Sequence, residues 1–178
     1  MLVVLLFFAI SDPQTIDGRF VRAVSGDTLL VETTDGRQLQ VKLSQVAAPP
    51  SRTPQGGKAR EFLDNLIKDS RDPTFKFDLL IEVLQRGSDE RVVGTVQVVI
   101  GHSFPELHKA VGDDIRLDLL RSGWVKTTGE VSSELTNAMN SAQTAGLGIW
   151  ARGVFSCPPS SCHFWRRRGL RRVFSRRR

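Results

Sequence analysis

Residues 20–50 read FVRAVSGDTLLVETTDGRQLQVKLSQVAAPP, and this stretch decides the fold. Phe20 to Val24 alternates loosely until the turn Ser25-Gly26-Asp27 breaks it. Leu29 to Thr33 is a second run of strand-forming residues. Asp35-Gly36 follows, a hairpin signal in which both central residues are expected at positive φ. Gln38 to Ser44 then alternates cleanly. Leu39, Val41 and Leu43 share one face, while Gln40, Lys42 and Ser44 share the other. Three antiparallel strands in a meander are therefore expected here.

Downstream, Ala47 to Arg52 reads as a loop, and Thr53 is placed to cap a helix that opens on Pro54. Ala59, Phe62, Leu63, Leu66 and Ile67 form one apolar stripe, with Arg60, Asp64 and Lys68 as i,i+4 pairs on the wet face. Phe75, Phe77, Leu79, Ile81 and Val83 alternate as a fourth strand. The turn Gly87-Ser88 leads to a fifth strand from Val92 to Ile100. Gly101 to Gly112 shows no period. Its His102 and His108 read as surface residues, with no partner at ligand spacing. Asp113-Asp114 opens a short helix through Leu120 that stops at Gly123. A last helix runs from about Ser133, with Leu135, Ala138, Met139 and Ala142 on one face and Gly146 closing it. Leu147, Ile149 and Trp150 are expected to fold back as a plug, and Trp124 to serve the core likewise. The order β-β-β-α-β-β-α-α is an α+β layout. Five strands with a helix between the third and fourth match a small Greek-key barrel of the OB type.

The 178 residues suffice for one domain, at 40% apolar and 25% charged, which excludes collagenous, disordered acidic and polytopic membrane classes. The net charge is +6 and the isoelectric point about 10.0. That surplus sits in the tail, as Arg166, Arg167, Arg168, Arg171, Arg172, Arg176, Arg177 and Arg178. Setting those eight aside leaves 17 basic against 19 acidic residues, a balance of −2. Three parts are read: an apolar segment at 1–15, a domain at 16–152 and an Arg-rich tail at 153–178, expected to be disordered. Leu2 to Ile10 is too short for a membrane span, so a signal segment, an anchor stub and an extra strand stay open, with a lean to export or membrane association. The tail interleaves arginine with Phe164, Trp165 and Phe174, a composition suited to nucleic acid or an anionic membrane surface. Cys157, Cys162 and His163 have no fourth metal ligand nearby, so a small disulfide or free thiols fit them better than zinc.

Four stretches together resemble a staphylococcal-nuclease-like (thermonuclease) domain, the module also repeated in Tudor-SN proteins. They are Val24-Ser25-Gly26-Asp27-Thr28, Val41 through Pro49, Gly57-Lys58-Ala59-Arg60-Glu61-Phe62-Leu63, and Ala145 through Trp150. The likeness covers nearly all of residues 16–152. It implies an OB-fold barrel whose active members cut phosphodiesters with calcium, using paired carboxylates on the metal, a glutamate base and two phosphate-holding arginines. By this resemblance Asp27 matches a metal carboxylate and Arg91 the second arginine. Lys42 stands in the first arginine's place. Ala47 falls at the second metal carboxylate, Ala48 at the threonine after it, and Pro50 at the general base. The family also places tyrosines around the substrate, and this chain has none.

Loss of a general base costs about 10²–10⁴ in rate, and loss of one preorganised donor about 10²–10³. Lysine keeps charge but not the bidentate fork, and a lone carboxylate makes a poor calcium site. Little nuclease activity is expected, with no cofactor required, or Ca²⁺ if activity persists. Rescue would call on Glu32, Asp35, Glu90 or the 101–112 loop. Asp27 equally suits a plain turn-capping role. Lys42, Lys58, Arg60 and Arg91 are expected to give at most a mild basic groove. The reading is a monomeric domain that binds nucleic acid or another polyanion. The alternatives are an atypical calcium-dependent nuclease and a membrane-associated scaffold with a protein partner.

Overall fold

A computed structural model describes residues 14–72, 74–87, 90–103 and 108–151. Residues 1–13 of the apolar segment, Ser88, Cys157, Cys162, His163 and the arginine tail lie outside the described residues, while Gln14 and Thr15 of that segment belong to the first strand. The described residues form an α+β fold with a mostly antiparallel six-stranded sheet and three α-helices. Strands β1 (Gln14–Ser25), β2 (Thr28–Thr33) and β3 (Gln38–Leu43) form the expected meander. After the short β4 (Val46–Ala47) and helix α1 (Pro54–Ser70) come β5 (Leu79–Arg86), β6 (Arg91–Ser103) and β7 (His108–Asp114). Helix α2 (Ile115–Arg121), the short β8 (Lys126–Thr127), helix α3 (Ser133–Thr144) and a 3₁₀ turn (Gly148–Trp150) complete it.

The main sheet runs β3-β2-β1-β5-β6-β7, and β3 also pairs in parallel with β6. The strands from β1 to β6 in that sheet therefore close into a ring. Inside it lie Leu29, Val31, Val41, Leu43, Leu79, Ile81 and Val96, all essentially without solvent contact. Helix α1 covers this core with Ala59, Leu63 and Ile67, the inner part of the expected stripe, while Phe62 and Leu66 pack at its margin. Its start is as read: the Thr53 hydroxyl accepts from the Gly56 N–H at 3.0 Å, and Pro54 takes the first turn.

Four expectations change. The hairpin after β2 holds only Gly36 at positive φ (+80°), whereas Asp35 is not in that region. The Gly36 N–H donates to the Thr33 carbonyl at 2.9 Å, so a turn followed by one left-handed glycine replaces a turn with two. The fourth strand begins at Leu79, not Phe75, because Asp78 is buried as a clamp. Its carboxylate accepts from the Phe20 N–H at 2.7 Å and from Arg71 Nη1 at 3.2 Å. The strand read as Gln38 to Ser44 ends at Leu43, and Ser44 does not share the exposed side of Lys42. It is buried, and Arg116 Nη1 donates to its hydroxyl at 2.8 Å. Finally, much of the stretch read as irregular is strand: β6 runs on to Ser103 and β7 pairs with it at the sheet edge. An edge strand takes hydrogen bonds on one side only and needs no strict apolar alternation.

Candidate nucleic-acid interface

The Asp27 turn is built before any ligand is considered. Asp27 Oδ1 accepts from the Ser25 hydroxyl at 2.6 Å and from the Thr28 hydroxyl at 3.1 Å. Its Oδ2 accepts from the Ala48 N–H at 3.2 Å. The half-buried carboxylate thus ties the β1–β2 turn to the loop after β4. Gly26 permits this closeness, because a Cβ there would lie 2.6 Å from that of Ala59 and 2.8 Å from that of Ala48. Turn, loop and α1 meet with no room for a methyl group.

The loop is held from the other side by Arg116, a residue nothing in the spacing singled out. Its guanidinium is buried and makes two contacts to the Asp114 carboxylate, at 2.8 and 2.6 Å. Beyond Ser44 it also donates to Gln45 Oε1 at 2.9 Å. Gln45 itself has φ +60°, and its amide donates to the Glu130 carbonyl at 2.7 Å. Each polar group in this corner has a partner, which fixes where Ala47 and Ala48 stand.

Lys42 and Arg91 come together. Lys42 lies on β3 opposite Thr28 of β2, and Arg91 opens β6, in register with Gln40 across the parallel seam. Thr28, Gln40, Lys42, Gln85 and Arg91 line one depression of about 330 Å³. Both cations are exposed, and neither has an ion pair among the described residues. Uncompensated cations beside amide and hydroxyl donors suit an anionic oxygen ligand.

Lys58 and Arg60 are elsewhere, so the four cations form no single groove. They line a wider cleft of about 650 Å³ between β1 and α1, with Arg22, Lys68, Glu61 and Asp64. Lys68 is paired with Asp64 there, and the Ala23 N–H donates to the same carboxylate at 3.1 Å. Burial pushes Asp64 up, but the Lys68 hydrogen bond, the Ala23 N–H and the nearby cations outweigh it and hold the carboxyl below its ordinary 3.8.

A calcium ion of the kind the resemblance implies does not fit the residues present. Asp27 is the sole carboxylate of that turn, its oxygens already serve three donors, and Ala47 and Pro50 offer no side-chain oxygen. Among the described residues no group of three or more His, Cys, Asp or Glu is arranged to hold a metal. The other carboxylates considered do not reach Asp27: Glu32 is paired with Arg19 and Asp35 with Arg37, while Glu90 lines an adjoining depression with Arg86, Arg37 and Arg91 itself. Trp124 and Trp150 are half-buried rather than sealed in the core. The Trp124 ring lies 6.2 Å from that of Phe62. Among the described residues no helix is long and apolar enough to cross a membrane. Neither a scan against protein-family models nor a search of curated proteins found a match for the chain.

Proposed function

We propose that the chain is a nuclease-like OB-fold domain that binds nucleic acid, or a similar polyanion, without cutting it. The closed ring of five strands with α1 between the third and fourth supports the OB assignment. The observation that carries the function is the pairing of Lys42 with Arg91, unneutralised, in one depression whose neighbouring carboxylate is spent on the fold. Two cations can hold a phosphate. With alanine at 47 and proline at 50, those two positions supply no carboxylate to hold a metal or to deprotonate an attacking water. The tail arginines add sequence-independent attraction.

The test uses single-stranded DNA with the full chain and with a chain lacking residues 164–178. Binding should weaken steeply with salt, and the truncation should flatten that slope. An unchanged slope removes the tail from the reading. Incubation with calcium or a chelator should leave the DNA intact. Calcium-dependent products would establish a working nuclease, with Asp27→Ala as the control for its metal site.

A further inference from the structure

A further depression, of about 520 Å³, differs in character from the one that holds Lys42 and Arg91. It is lined by Ala48, Pro49, Pro50, Lys126, Ile149 and Trp150, among others. Two proline rings, an isoleucine and an indole give it broad apolar surfaces. Lys126 brings a cation, with its Nζ 4.9 Å from the centre of the Trp150 ring. The indole Nε1 is buried and finds no acceptor among the described residues, so this corner is not fully satisfied by the fold itself.

The two depressions are linked through the Asp27 carboxylate, which accepts from a residue of each. Thr28 lines the one with Lys42 and Arg91, and Ala48 the other. Asp27, adjacent to Thr28 in sequence, accepts from the Ala48 N–H. The chain also passes from Lys42 on β3 directly through Gln45 to Ala47 and Ala48, and the β4–β8 pairing brings Lys126 opposite Ala47. Asp27 therefore links a depression with two cations to an apolar recess with one further cation. A chain with alternating charged and flat apolar groups matches that order.

We propose that the Pro50–Trp150 depression is the base subsite of a single-stranded nucleic acid whose phosphate is held by Lys42 and Arg91. The inference rests on the nucleic-acid reading above and names the form of the ligand. A paired base cannot enter a recess, so the strand is single. Flat rings against proline and indole faces are tolerant of base identity. Lys126 meets the next phosphate or a base oxygen at the rim. Duplex DNA would reach the cations without filling the recess.

The test measures binding of the full chain to a labelled ten-residue oligothymidylate and to an abasic oligomer with the same number of phosphates. The wild type should prefer the thymidylate by about ten-fold, the effect of stacking roughly one base. Pro50→Ala, an exposed change, should bring that ratio close to one with little loss of affinity for the abasic oligomer. Trp150→Phe, which keeps an aromatic ring in place, should reduce the ratio part-way. Lys42→Ala with Arg91→Ala should weaken both oligomers alike. A wild-type ratio near one, with both oligomers still sensitive to Lys42 and Arg91, overturns the base subsite and leaves the phosphate site standing. A ratio that survives both Pro50→Ala and Trp150→Phe places the base elsewhere and also overturns it. Binding of neither oligomer overturns the nucleic-acid reading itself.

Discussion

Of the basic depressions at the β1–α1 cleft and at the β3–β6 seam, the larger is the poorer candidate. The cleft between β1 and α1 gathers four cations, but Glu61 and Asp64 stand among them and Lys68 is bound to Asp64. The depression at the β3–β6 seam has only Lys42 and Arg91, yet its lining contains no carboxylate. A polyanion meeting the first must compete with fixed negative charge already paired at close range. At the second it meets cations with no partner to lose. Counter-charge, not the number of basic residues, separates a binding site from an ordinary salt-laced surface.

The comparison breaks or holds on charge reversal. Lys42→Glu with Arg91→Glu should lower affinity for single-stranded DNA by about 30-fold in the full chain, the scale of two solvent-exposed contacts at about 1 kcal/mol each. Lys58→Glu with Arg60→Glu should change it by less than about three-fold, since the cleft is already half neutralised. Titration of both variants by fluorescence anisotropy checks this, and equal losses would erase the distinction.

The joint between the two regions is the next target. Gly26→Ala puts a methyl against Ala59 of α1 and Ala48 of the loop, and should cost about 1–3 kcal/mol of stability in chemical denaturation. A neutral result would show that the turn and helix have slack between them.

Removing the counter-charges should sharpen the contrast from the other side. Glu61→Gln with Asp64→Asn should raise affinity at the β1–α1 cleft by about three-fold, as its cations are freed. Unaltered binding would mean that the cleft's geometry, and not its acids, keeps polyanions off.

The smallest effect is one of pH. The folded Asp64 carboxyl titrates below its ordinary 3.8, so it is ionised more readily in the folded chain than in the unfolded one. Its contribution to stability is therefore full above pH 3.8 and is lost as pH falls through the lower folded value. Thermal melts between neutral and strongly acid pH should show Asp64→Asn lacking this part of the acid sensitivity. Parallel melting curves for variant and wild type would deny Asp64 that role.

Much of the architecture was legible because local chemistry announces it. Thr53-Pro54 opens α1 as read, Leu135, Ala138 and Ala142 are buried on α3, and the alternation of β3 places Val41 and Leu43 inside. What escaped was polar burial at a distance. Asp78 is held by a backbone N–H 58 residues away, and Arg116 by Ser44, 72 residues away. No short window contains both members of such a pair. The strand β7 escaped for a different reason: an edge strand with polar residues lacks the period that betrays a buried one. At the candidate site, Lys42 and Arg91 were nominated through resemblance alone. Their meeting in one depression depends on a parallel pairing that the alternation of either strand leaves undetermined.

That pairing has a further consequence. Gln40 to Leu43 of β3 lie beside Arg91 to Gly94 of β6, so strands about fifty residues apart in the chain must find each other to close the ring. Closure of so distant a contact is an entropically expensive step in folding. Lys42 and Arg91 stand on opposite sides of that seam, and a phosphate gripped by both acts as a clasp across it. At a hundred times its dissociation constant, such a ligand would add about 2.7 kcal/mol to the folded state. The domain would then melt at a higher temperature in the presence of such a ligand, which would hold the ring shut at the seam that local sequence does least to close.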